Sequence, residues 1–138
     1  MMDLQATLGV HQLKRVETYW QKSAKIWDRC IASFTDLPIG LPAPVEADTR
    51  HAYHLFNLSI DEVRAGVSRD EFLNRMSAQG IGIGVHYLAI PAHPFYQNTF
   101  GWKPKDYPNA MRIGRQAVSF SISAKLGDTD VNDVVNGV

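Results

Sequence analysis

A chain of 138 residues is long enough for one hydrophobic core and buries roughly two-thirds of the surface that its unfolded form exposes. Its 14 lysines and arginines equal its 14 aspartates and glutamates, so no net field recruits nucleic acid, an anionic membrane or a polyanionic substrate. The single cysteine, Cys30, excludes an intrachain disulfide framework; no apolar run has membrane-spanning length and the N-terminus lacks a signal pattern, so the sequence reads as that of a cytoplasmic protein.

In chain order, residues 3–35 read as one long helix, with Leu13, Val16, Trp20, Trp27, Ile31 and Phe34 on one stripe at helical spacing. Trp20 and Trp27 read as packing anchors on that stripe. Residues 37–50 hold three prolines and a glycine and read as a linker crossing the body. Residues 51–60 suit a strand with one buried face, on which His51 and His54 point to opposite sides and so do not share a metal. Ser68 to Gln79 has the signature of a capped helix: Ser68 caps, Glu71 reaches back, and Gly80 stops it.

The run "GIGIGVHYLAIPAHPFY", residues 80–96, is the most unusual stretch. Ile81, Ile83 and Val85 alternate with Gly82, Gly84 and His86, a strand pattern over 82–88 whose second face is nearly bare. A phosphate cradle needs its glycines between a strand and the start of a helix; here they follow a helix and lie inside a strand, which argues against that role. Glycine within a strand instead marks close approach of a backbone or a bulky group. His86 and His93 have no cysteine or acid at ligand spacing, so no metal is expected. Cys30 has no neighbouring histidine, and Ser119, Ser121 and Ser123 lack a nucleophile elbow.

Residues 91–108 read as a proline- and aromatic-rich loop of the kind that often carries function. A helix over 109–116, a strand over 118–122 and a C-terminal helix with Val131, Val134, Val135 and Val138 facing inward complete the chain. Asp128 and Asp130 suit that helix's N-terminal dipole. The order of elements gives an α/β fold in two layers, a small sheet with helices against one face.

"MMDLQATLGVHQLKRVETYWQKSAKIWDR", "RHAYHLFNLSI", "RDEFLNRMSAQGIGIGVHYLAIPAHPFY" and "SFSISAKLGDTDVNDVV" together resemble the C-terminal part of the DegT/StrS sugar-nucleotide aminotransferases, pyridoxal-phosphate enzymes of fold type I. The resemblance runs over nearly the whole chain and implies a small, mainly antiparallel three-stranded sheet with helices on one face. It implies an interdomain-type helix over 1–36 and a small C-terminal domain over 37–138, forming one compact unit. It also places His86 and Tyr87, together with His93 and Tyr96 on the following loop, toward a substrate cleft. In that family the cofactor lysine, the acid that pairs with the pyridine nitrogen and the phosphate cup belong to a large domain upstream. The expectation is therefore a catalytically incomplete portion, with no catalytic residue and no cofactor or metal ligand of its own, that forms one wall of a nucleotide-sugar site. A homodimer or swapped oligomer through the helix of Trp20 and Trp27 is expected. Lys125, in the serine-rich "SFSISAK", superficially matches the approach to the cofactor lysine, but its continuation fits the C-terminal helix instead. The alternative is a stand-alone binding or oligomerisation module encoded by a truncated gene.

Overall fold

The computed structural model describes residues 2–138. The stretch expected as one helix forms two, α1 (Asp3–Leu13) and α2 (Val16–Phe34), separated at Lys14 and Arg15. The stripe drawn through Leu13 and Val16 is not a continuous buried face, since both are exposed. Trp27, Cys30 and Phe34 of α2 reach the core, whereas α1 buries no residue.

The sheet has three strands in the order β1 (Leu55–Ser59), β3 (Ala117–Ser121), β2 (Ile83–Gly84), each pairing antiparallel. Register sets its two faces. Phe56 lies opposite Phe120, Leu58 opposite Val118, and Ile83 opposite Phe120, so these side chains share the core face. Full burial of each large apolar group contributes about 1.5–3 kcal/mol. On the other face, Asn57, Ser119 and Gly84 form a row across the strands. The Ser119 hydroxyl donates to Asn57 Oδ1 at 2.6 Å there.

The first strand begins four residues later than its composition suggested. Tyr53 takes a left-handed backbone, φ 49°, which ends the extended run on that side and turns His51 and Tyr53 back toward α2. Trp20 Nε1 donates to the His51 carbonyl at 2.7 Å, and the Trp27 ring lies 4.7 Å from the rings of both His51 and Phe56. Trp27 is thus an internal anchor.

The core face is covered by α2, by α4 (Arg69–Ala78) through Phe72 and Met76, and by α7 (Asp128–Gly137) through Val131. α4 and α7 meet at their ends, where a Cβ on Gly137 would fall 3.4 Å from Met76 Cε. Both helices lie in one layer, as expected. Ser68 Oγ caps α4 by accepting from Glu71 N at 3.2 Å, but Glu71 pairs with Arg75 rather than reaching back. At α7, Asp130 Oδ2 accepts from Gly127 N at 2.8 Å. A one-turn helix, α3 (Glu62–Ala65), follows β1.

Residues 91–108 are more regular than their composition suggested. They hold a single 3-10 turn at Ile90–Ala92, then α5 (Pro94–Phe100), a second 3-10 turn at Pro104–Asp106 and the start of α6 (Pro108–Gln116). Proline opens both α5 and α6, where its missing N–H costs no hydrogen bond. Gly101 ends α5 at φ 67°.

Candidate functional site

Just beyond β2, the chain leaves the sheet and doubles over its polar face. The imidazole of His86 lies against Gly84: a Cβ built on that glycine would stand 2.9 Å from Cε1, 3.5 Å from Nδ1 and 3.7 Å from Nε2. The bulky group expected to approach the bare strand is, at Gly84, the chain's own histidine. Gly82 has nothing within 4 Å of such a Cβ. His86 Nδ1 is buried and finds no hydrogen-bond partner among the described residues, a costly state for an imidazole nitrogen.

Tyr87 follows with 78% of its surface exposed, its ring 5.1 Å from that of His86 and nearly perpendicular to it. The pair thus presents one half-buried polar ring and one solvent-facing phenol at the rim of the sheet. Farther along, Ala89 packs on α6 at Gly114, where a Cβ would meet Ala89 N at 2.7 Å.

His93 and Tyr96 form a separate pair, with centroids 6.5 Å apart. Tyr96 belongs to an aromatic group within the stretch whose composition suggests a loop: its ring stacks on Trp102 at 5.5 Å, and Trp102 lies 5.3 Å from Tyr107. Phe95 and Phe100 flank the stack and are largely exposed. Gln97 Nε2 donates to the Pro91 carbonyl at 2.9 Å and ties α5 to the turn before it. The proline at each helix start and the glycine after α5 were the readable signal for this order.

A second feature that the sequence reading did not single out lies beside α6. A groove of about 420 Å³ is lined by Lys105, Arg112 and Arg115 together with Pro104, Pro108 and Met111. Arg112 Nη1 donates to Gln116 Oε1 at 3.3 Å, while Gln116 Nε2 donates to Asp61 Oδ2 at 3.1 Å. Among the described residues, no carboxylate lines the groove. Cys30, on α2, is buried against the sheet and α7, and burial pushes its thiol pKa up, with Arg29 acting the other way. It stays a protonated core group.

One comparison covers the chain from end to end. The sequence pattern of the DegT/DnrJ/EryC1/StrS aminotransferases matches residues 1–138. The chain belongs to this family. It is 41% identical to the spore coat polysaccharide biosynthesis protein SpsC of Bacillus subtilis (strain 168) over 140 residues, which is all of this chain but 36% of that protein. Its fold is similar to that of Spr1654 of Streptococcus pneumoniae, a proposed sugar aminotransferase solved in apo, pyridoxal-phosphate and pyridoxamine-phosphate forms. The TM-score is 0.87 at 26% identity, covering 99% of this chain and 34% of that one. DesV of S. venezuelae, solved with a ketimine intermediate, is similar at TM-score 0.81 and 25% identity, over 96% of this chain and 34% of DesV. The chain therefore spans about a third of the length of these relatives.

Pyridoxal phosphate needs a lysine for its imine, an acid against its ring nitrogen and donors around its phosphate. All six lysines of this chain are exposed, and Lys125 sits in the turn between β3 and α7. Lys105 lines the α6 groove, but beside arginines and without the acid. These residues by themselves do not fit the group.

Proposed function

We propose that these residues form the substrate-side part of a sugar aminotransferase, in which His86 and Tyr87 contribute one wall of a nucleotide-sugar site. The observation that carries this reading is the exposed Tyr87 phenol beside the half-buried His86 at the rim of the sheet, in a chain of this family. The phenol donates to or accepts from a sugar hydroxyl, and the imidazole offers a second polar contact once its ring nitrogens face the ligand. His93 and Tyr96 belong to the flank of the same wall, where the exposed His93 and the half-buried Tyr96 ring offer surface to a sugar face or a base. On this reading the imine-forming lysine and the phosphate cradle belong to the rest of the whole protein, since the chain spans about a third of its relatives' length. Amino transfer to a keto-sugar nucleotide is then an activity of the whole protein, with the 1–36 segment as the link between its parts.

The test is to titrate isotope-labelled chain with UDP-N-acetylglucosamine and follow its amide and ring signals. Perturbations centred on His86 and Tyr87 are expected, with Tyr87→Phe weakening the response about fivefold, the scale of one lost hydrogen bond. A saturating probe that perturbs only other surfaces, or none, sinks the reading.

The same reading includes self-association, now through α1. Leu4 and Leu8 lie on one side of that helix, Ala6 and Leu13 on the other, and α1 covers nothing of its own core. A helix apolar on both sides belongs between two surfaces. A second copy of the chain supplies one of them, so the contact shifts from the internal Trp27 to its exposed neighbour.

A further inference from the structure

We infer that Gly84 and Gly114 are positioning residues that seat the His86–Ala89 segment, an assignment that rests on the substrate-facing reading of His86 and Tyr87. Glycine usually earns its place by a positive φ, as at Gly66, Gly80 and Gly101. Gly84 and Gly114 have no positive φ, so conformational freedom does not explain them. Each is also unfavourable where it stands, Gly84 inside a strand and Gly114 inside α6.

Space explains both. The missing side chain of Gly84 makes the slot that holds the His86 ring, with Cε1 2.9 Å from where a Cβ would stand. The missing side chain of Gly114 admits the backbone of residue 89, whose N, Cβ and Cα would stand 2.7, 2.9 and 3.2 Å from a Cβ. One seat lies on the sheet and the other on a helix. Between them, Tyr87 is held outward on a span fixed at both ends.

The two seats differ in what a methyl group would displace. At Gly84 it meets the far end of a side chain, which rotates aside at little cost. At Gly114 it meets backbone, which moves only with the segment or with α6. Gly84→Ala should therefore free the His86 ring while the fold persists, and Gly114→Ala should shift the whole segment and lower stability.

The experiment reads position first and binding second. In labelled chain, a nuclear Overhauser contact between Gly84 Hα and His86 Hε1 is expected. Gly84→Ala should abolish that ring contact and shift the His86 ring signals, with the urea midpoint unchanged. Gly114→Ala should shift the amides of residues 86–89; if it does not fold, Gly84→Ala alone carries the test. Absence of the contact, or His86 signals unmoved by Gly84→Ala, overturns the inference. Titration with UDP-N-acetylglucosamine then separates it from the functional reading. An affinity about fivefold weaker in Gly84→Ala supports both. Displaced His86 signals with undiminished binding support the seat and overturn the role of His86 toward the sugar nucleotide.

Discussion

α1 and α2 are neighbours in sequence, two residues apart, and similar in apolar content, yet they stand in opposite relations to the fold. α2 gathers its apolar groups on one side and lays them on the sheet, with Trp27, Cys30 and Phe34 all in the core. α1 spreads Leu4, Ala6, Leu8 and Leu13 around its circumference and buries none of them. The placement of apolar residues around the helix, more than their number, determines whether a helix is held by its own domain or by another surface.

The most severe way to test that contrast is Trp27→Ala. It removes the ring that contacts His51, Tyr53 and Phe56 and should cost about 3–5 kcal/mol, read as a lowered urea midpoint. A loss below about 1 kcal/mol would mean that α2 is not anchored as described.

A smaller effect is expected from the thiol of α2. Burial raises the Cys30 pKa in the folded chain, so below the ordinary thiol range folded and unfolded chains both keep the proton. As pH rises past about 8.5, only the unfolded chain ionises, and stability falls until pH reaches the folded value, by up to about 1.4 kcal/mol per pH unit. Urea midpoints measured across that range should decline more steeply for the native chain than for Cys30→Ala. Parallel curves would show that Cys30 is not shielded from solvent.

The smallest change in folding stability is expected in α1. Leu4→Ser with Leu8→Ser should leave the urea midpoint of the monomer within about 0.5 kcal/mol, while abolishing the self-association seen by light scattering. A native chain that stays monomeric at high concentration removes α1 as a dimer surface, and a large loss of stability would remove the contrast itself.

The same distinction explains what the sequence revealed. α4 and α7 were legible because Ser68 and Asp130 act within one turn of their own helices, and strand β3 because Val118, Phe120 and Ile122 alternate with Ser119, Ser121 and Ser123. The break between α1 and α2 was not, since Leu13 and Val16 continue the spacing without meeting anything. Tyr53 hid the start of β1, because a left-handed tyrosine is fixed by its aromatic surroundings and not by a local signal. At the site, the expectation that something bulky approaches the bare strand was sound for Gly84, but no pattern says that the approaching group lies two residues away. The α6 groove went unread although its cations are close in sequence: Lys105 lies on the 3-10 turn just before α6, and Arg112 and Arg115 stand three apart on α6 itself.

The sheet's outer margins bear on how the protein behaves in a crowded solution. Gly40 exchanges two backbone hydrogen bonds with Ser59 on the free side of β1, at 2.8 and 2.9 Å, and β2 at the opposite margin is only two residues long. An extended foreign segment thus finds few unpaired amides in register on either side. Blunted margins of this kind resist the strand-by-strand addition that leads to aggregation, so association is left to side-chain surfaces, which can be specific, in preference to open backbone, which is not.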